Sequence, residues 1–497
     1  MQQLNQQDAM FLYSEKPRAP MHLSSVHIYD PATTATGEIT FEQFVDHVRS
    51  RLPLARVLRR KLVRVPMDLD YPYWVEDDAF DLGFHVRRLS LPAPGDWRAM
   101  WDLAAALHSD PLDLSRPPWE LYFIEGLDAV EGYAPGSFAM QIKVHHCAID
   151  GIAGIELMNA LHDVSPEGRG IIVDPWRGEP DPDGLTLMAL ATANAVRAPQ
   201  RAFEFMSRSA AALMPWTGSR PGLPQWASRS RPPRTLLNQR VTINRVGDAI
   251  VIDLAETKRV KAAVPGATVN DVLLAVVGGG VRSYLMSKGD LPDTPLLAGV
   301  PISMRTEADA GEPGNKISMM LVSLGTDVED PRKRLEAVQR STSQSKEQSQ
   351  AVEARVMADS AELFPGALLG LAVRANAATN AEGVTAQIGN VCVTNVPGSQ
   401  VPLYLCGAEM QAYYSLGPVY DNAGPIHLVV SYHGKIYLSV TTCREIVPDI
   451  EAYVGSLRRS WEELRAATVG AGTATGEQPP SKPRARAKPR SRPTKQA

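Results

Sequence analysis

The stretch KVHHCAIDGIAG, residues 143–154, decides how the chain is read. Ahead of it, GSFAMQIKVHH (136–146) alternates: Phe138, Met140, Ile142 and Val144 fall on one side, and Ala139, Gln141 and Lys143 on the other. That period of two predicts a half-buried strand. Behind it, Ile152, Ile155, Met158 and Leu161 recur at helical spacing. A strand that runs straight into a helix puts His146 at the rim of a sheet, and chemistry is often done at strand ends and loops. The same residues also have a purely structural reading. Asp150 is a natural N-cap for the helix, and Gly151 gives room in the turn.

Outward from this point the first 175 residues read as α/β, with helices over 40–52 behind Thr40 and over 96–109. Residues 176–245 differ. DPWRGEPDPDG (174–184) is a loop by its turn residues. The apolar run 185–216 then reads as a helix broken near Pro199, and it is either an interfacial amphipathic segment or a linker helix packed on the body. A second α/β unit covers 246–467. It holds the strand AIVIDL, a helix over 269–286 capped by Thr268, strands TPLLAGVPISMR and NVCVTNVPGS, and a hairpin turning at His433–Gly434. Pro448 opens a last helix that ends near Arg465. No internal repeat is visible.

Composition narrows the function. Of the 497 residues, 44% are hydrophobic and 21% charged, and the net charge is −4, which does not suggest nucleic acid as a partner. The tail 468–497 is different. Its last twenty residues carry seven basic side chains and no acid, leaving the rest of the chain near −11. Rich in Pro and Ala, the tail reads as disordered. It either meets an anionic lipid surface or serves as a solubilising end. Four scattered cysteines lack the spacing of a disulfide framework or a zinc site. No signal peptide and no membrane-spanning run stands out, so a cytoplasmic protein, free or peripherally bound, is expected.

A neutral imidazole at pH 7 can take a proton from an alcohol as the alcohol attacks. No GxSxG elbow offers a serine nucleophile. Cys147 adjoins His146, but neighbouring strand residues point to opposite sides, so that pair would not easily meet. HHxxxD lacks the usual metal-ligand spacing and no further ligand cluster accompanies it, so no metal is expected.

With those residues in view, the chain resembles the CoA-dependent acyltransferase superfamily, marked by HxxxD, here His146 to Asp150. More closely it resembles the bacterial wax ester synthase/diacylglycerol acyltransferases, which share the fuller HHxxxDG with condensation domains. DAMFLYSEKPRAPMHL (8–23), PLDLSRPPWE (111–120), TVNDVLLAVVGGGVRSYL (268–285), VPISMR (300–305), GN (314–315) and TNVPGS (394–399) are similar to further blocks of that family. Together they span about 5–465. His427 is a departure, standing where the family pattern has Asn and bearing on a tunnel wall.

The resemblance implies an α/β fold of two chloramphenicol-acetyltransferase-like domains with a channel between them. It implies acyl transfer from acyl-CoA to diacylglycerol, or to a fatty alcohol, without a cofactor and without an acyl-enzyme. An amide-forming condensation enzyme and a non-catalytic lipid-droplet binding protein are the alternatives. His146 would be the general base, His145 and Gly151 would shape the site, and Asp150 would pair with Arg305 as a clamp. Asn270, with Asp271, would bind substrate; Asn270 also has a plain reading as a helix-start residue. A membrane or lipid-droplet surface is the expected peripheral partner.

Overall fold

A computed structural model describes residues 1–149, 151–170, 176–196, 232–303, 317–356 and 389–470. Asp150, Arg305, the pair 314–315, the break at Pro199 and residues 471–497 of the basic tail lie outside these.

The first half builds β1 (Gln2–Gln3), α1 (Gln6–Ser14), β2 (His22–Asp30), α2 (Phe41–Arg51), β3 (Arg60–Val63), β4 (Tyr73–Glu76), β5 (Val86–Ser90), α3 (Trp97–Ser109), β6 (Trp119–Glu125), β7 (Phe138–His145) and α4 (Gly151–Leu161). The second half builds β8 (Arg245–Asp253), α5 (Leu254–Ala262), α6 (Val269–Ser287), β9 (Leu297–Ser303), β10 (Ile317–Ser323), α7 (Pro331–Val356), β11 (Val391–Pro397), β12 (Tyr404–Leu405), β13 (Ala408–Leu416), β14 (Ile426–Tyr432), β15 (Lys435–Cys443) and α8 (Ile450–Val469). Caps explain several boundaries. Thr40 and Gln43 form a capping box on α2, Asp96 caps α3, and Thr268 and Asp271 form a second box on α6.

Two six-stranded mixed sheets result. One runs β12-β13-β2-β7-β6-β5, with only β5 and β6 parallel; the other runs β10-β9-β11-β14-β15-β8, with β11 parallel to both its neighbours. Residues 404–416 follow the first strands of the second half in sequence, yet β13 hydrogen-bonds to β2 of the first sheet. Its back then grips the second sheet: the Tyr437 hydroxyl donates to Gln411 O at 3.0 Å, and Ser415 N–H donates to Ser439 Oγ at 3.1 Å. Helix α3 closes the same seam. Trp97 Nε1 donates to Asp248 Oδ1 at 2.8 Å, and Arg98 donates to Gly247 O at 3.0 Å. Gly247 is obligatory there, because a Cβ would sit 2.9 Å from the Trp101 ring.

β7 departs from the sequence reading. It is buried along its whole length, not on one face. Its polar face is covered by α3, and each polar side chain finds a partner. Gln141 Nε2 donates to Ala104 O at 3.1 Å. Lys143 Nζ donates to Leu107 O at 3.0 Å and Asp110 O at 2.9 Å, and pairs with Glu120 at 2.8 Å. The alternation was real, but the polar side is paired inside the protein instead of facing water.

The His433–Gly434 hairpin is as expected, with φ of +42° and +77°, the left-handed pair of a type I′ turn. The last helix starts at Ile450, two residues past Pro448. Asp449 is occupied at that point by the Tyr284 hydroxyl (2.6 Å) and Lys288 (2.7 Å). Of the run 185–216, the described part is helical over 184–196.

Glycines 278–280 sit in the middle of α6, where each costs about 1 kcal/mol against alanine. The reason is close packing. A Cβ on Gly278 would lie 2.1 Å from Leu324 O, and one on Gly280 would lie 2.4 Å from Leu457 Cδ2 and 2.9 Å from its Cα. α8 therefore rides directly on the α6 backbone. Gly280→Ala should lower stability by about 1–3 kcal/mol despite better helix propensity; an unchanged urea midpoint would refute this packing.

Candidate active site

β7 ends at His145, and His146–Ala148 continue as a single 3₁₀ turn. β2 lies alongside, with His22 opposite His145. Two backbone bonds fix the turn: His145 N–H donates to Pro118 O at 2.9 Å, and His146 N–H donates to Met21 O at 2.8 Å. Both acceptors belong to blocks singled out in the sequence, PLDLSRPPWE and DAMFLYSEKPRAPMHL. Their spacing from the histidines in the chain thus becomes contact in space.

The two histidines differ. His145 is fully buried, and its Nδ1 accepts Cys147 N–H at 3.1 Å. His146 is partly buried, and its ring stacks on Phe11 of α1 with centroids 3.7 Å apart and planes 8° apart. Its Nδ1 is sealed off and meets no hydrogen-bond partner among the described residues. Burial, helped by the neighbouring His145, pushes the His146 pKa down from 6.5 to about 4. The ring is therefore neutral at pH 7 and free to accept a proton.

Cys147 is buried in the cluster with Leu4, Ala9, Leu12 and Tyr13 of the N-terminal segment, its Sγ lies 2.9 Å from His145 Nδ1, and burial raises the thiol pKa well above 9.0, which disfavours the thiolate.

Gly151 opens α4. Asn270 stands in the second half, in the first turn of α6, half-buried, with Oδ1 accepting from Asn395 Nδ2 at 3.4 Å. This joins the Asn-Asp block to TNVPGS. Asp271 is turned inward instead. One oxygen takes Thr268 N–H (2.7 Å) and the Thr268 hydroxyl (2.8 Å), and the other takes the Thr342 hydroxyl (2.6 Å). Its carboxylate is spent on starting α6 and tying it to α7. His427 is buried in the second half, with Nδ1 on Cys392 O at 3.1 Å and Nε2 on the Tyr453 hydroxyl at 2.9 Å.

Sequence reasoning missed Phe11 and Glu15, which α1 brings onto the histidine turn. It also missed the buried polar layer behind that turn. His22 Nε2 donates to His108 O at 2.7 Å, and His108 bridges the Ser24 hydroxyl (2.8 Å) and Gly417 O (3.1 Å). The available signal was the polar residues at alternate positions near the strand ends, His22 and Ser24 in β2 and Gln141, Lys143 and His145 in β7. Among the described residues, no group of three or more His, Cys, Asp or Glu is arranged to hold a metal ion.

Residues 4–273 match the family model for the wax ester synthase/diacylglycerol acyltransferase catalytic domain, and residues 313–465 match that for the C-terminal domain of the same enzymes. The chain belongs to the wax ester synthase/diacylglycerol acyltransferase family. Its relatives include a Mycobacterium tuberculosis protein provisionally named a diacylglycerol O-acyltransferase, 33% identical, with 93% of this chain and 98% of that one covered. A Mycobacterium bovis protein with the same provisional activity is 32% identical, with 94% and 100% covered. Among solved structures, the wax ester synthase/diacylglycerol acyltransferase from Marinobacter aquaeolei VT8 superposes with a TM-score of 0.65 at 26% identity, covering 94% of this chain and all of the other. The first condensation domain of the calcium-dependent antibiotic synthetase superposes at 0.56 with 14% identity, which is a likeness of fold alone. The fold is thus the two-domain chloramphenicol-acetyltransferase-like one, and this member of the wax ester synthase/diacylglycerol acyltransferase family is an acyltransferase.

Burial also drives His22, His27, His108, His162 and His427 below 6.5. A histidine whose folded pKa lies below its unfolded value takes up a proton on unfolding between the two, so falling pH favours the unfolded chain. The urea midpoint should drop steadily from pH 7 to pH 5; a flat or rising midpoint would contradict neutral burial of these rings. In the same enzyme, Cys147→Ala should keep kcat within about threefold, since an inert buried thiol does no chemistry; loss of transfer with the fold intact would return Cys147 to the site.

Proposed function

We propose that this enzyme moves a long-chain acyl group from acyl-CoA to diacylglycerol, giving triacylglycerol, with His146 as general base. The observation that carries the reading is a neutral, partly buried imidazole just past the end of β7, stacked on Phe11, with the neighbouring thiol held protonated by burial. His146 takes the proton of the acceptor hydroxyl as that oxygen attacks the thioester carbonyl. The C–S bond then breaks, and the same imidazole returns the proton to the departing thiolate. Acyl donor and acceptor meet in one complex, no acyl-enzyme forms, and no cofactor is drawn on. Asn270 is proposed to bind substrate from the second domain, with Asp271 holding the helix that presents it. Asp150 is proposed to pair with Arg305, with Gly151 leaving room for the turn.

The provisional names of the mycobacterial relatives favour diacylglycerol as acceptor. The Marinobacter structure's name couples wax ester synthesis with diacylglycerol acylation, so a fatty alcohol is the second reading, with the same chemistry on another hydroxyl.

Lipid acceptors imply work at a lipid surface. No helix among the described residues is long and apolar enough to cross a membrane. Met67 (80% exposed) and Leu185 (83% exposed) stand out on neighbouring segments, Gly184 lying close to Pro66. They support peripheral association with a membrane or lipid droplet in the cytoplasm, with or without the basic tail.

Purified enzyme given labelled palmitoyl-CoA should form labelled triacylglycerol from diacylglycerol, or wax ester from hexadecanol. His146→Ala should lower kcat/KM by roughly 10²- to 10⁴-fold with the urea midpoint little changed; retained activity in the folded variant would sink the mechanism. The base must be unprotonated, so the acid limb of kcat/KM should fall towards pH 4 and not at 6.5. A limb at 6.5 would place the working imidazole in ordinary solvent.

A further inference from the structure

α1 and its C-cap residue, Glu15, reach each residue of the HHC turn. Leu12 packs with Cys147, Phe11 lies flat on His146 at 3.7 Å, and Glu15, four residues after Phe11, faces His145. Phe11 and Glu15 share one face of the helix end by that spacing.

Glu15 closes a ring of contacts. Its Oε1 accepts Met21 N–H at 3.1 Å, and Met21 O accepts His146 N–H at 2.8 Å. The same Oε1 lies 3.6 Å from His145 Nε2. Cys147 N–H donates to His145 Nδ1, so that nitrogen is bare, and a neutral ring carries its proton on Nε2, facing Glu15. Nε2 is buried and has no hydrogen-bond partner, so the carboxylate is its compensation. Burial by itself would raise the Glu15 carboxyl, but the His145 ring and the Met21 amide outweigh it and hold the carboxyl below its usual range.

We propose that Glu15 is a positioning residue for His146. Its carboxylate fixes the orientation of the His145 ring on one side and the Met21 peptide on the other, and through both it sets the turn that aims His146. This rests on His146 being the base. Glutamine matches it in shape but not in charge: an amide oxygen in the place of Oε1 would keep Met21 N–H and still face His145 Nε2, yet it would bring no negative charge to that buried nitrogen.

The test is kinetic, on the full chain, with palmitoyl-CoA and diacylglycerol or hexadecanol. Glu15→Gln, Glu15→Asp, His145→Ala, the Glu15→Gln/His145→Ala double variant and His146→Ala are compared, with urea midpoints for each. Glu15→Gln should lower kcat roughly 10- to 100-fold with KM for palmitoyl-CoA unchanged, as a small displacement of a catalytic group does. Glu15→Asp, which retracts the charge, should show a smaller loss of the same kind, and it carries the test if the glutamine variant does not fold. With His145 already removed, Glu15→Gln should add little. Wild-type kcat in either Glu15 variant, or losses that multiply with His145→Ala, overturns the proposal. If His146→Ala is inactive and Glu15→Gln is normal, only the positioning role falls; if His146→Ala is active, the base assignment falls and takes this role with it.

Discussion

A strand in the middle of a sheet and buried on both faces cannot carry Gln, Lys and His unless each is paired, because an unpaired buried polar group costs one to several kcal/mol. β7 is such a strand, and most of the architecture around it meets that demand. The last turn of α3 turns its carbonyl oxygens to Lys143, β6 supplies Glu120, and β2 lays His22 and Ser24 beside them. The strand is thereby held rigid up to His145. One residue later, at His146, the pairing stops and a single 3₁₀ turn takes over.

The same enclosure sets the electrostatics. Burial is the main cause that keeps the His108 and His146 rings neutral. His108 is pushed down to about 3 and His146 to about 4. A neutral ring suits proton transfer because its free lone pair can take the hydroxyl proton, which a protonated imidazole cannot do. Glu15 is the exception, a carboxyl held below its usual range, and it faces His145.

Much of this was legible along the chain. Thr40 and Thr268 mark helix starts because a capping side chain acts on its own next turn. His433–Gly434 marks a hairpin because two left-handed residues in a row demand it. The HHxxxDG stretch announces a strand rim because its two periodicities meet there. β13 was not legible as a strand of the first sheet: its alternation is the same whichever sheet it joins, and only packing chooses β2 as its partner. The three glycines of α6 look like a weakness in isolation. They make sense only once α8 is laid across them. Asp271 beside Asn270 looked like one site, but a helix turns consecutive residues through about 100°, so one caps the helix while the other stays near the surface.

The sequence by itself determined the local elements, the family likeness and the histidine that stands at the end of a strand. These depend on spacing, caps and residue type, which act over a few residues. Tertiary structure alone decided what surrounds that histidine. Phe11 and Glu15 lie more than a hundred residues away in the chain, and no periodicity connects them to it. They reach it because β2 pairs with β7 and carries the preceding helix onto the turn, a contact fixed by sheet register and burial.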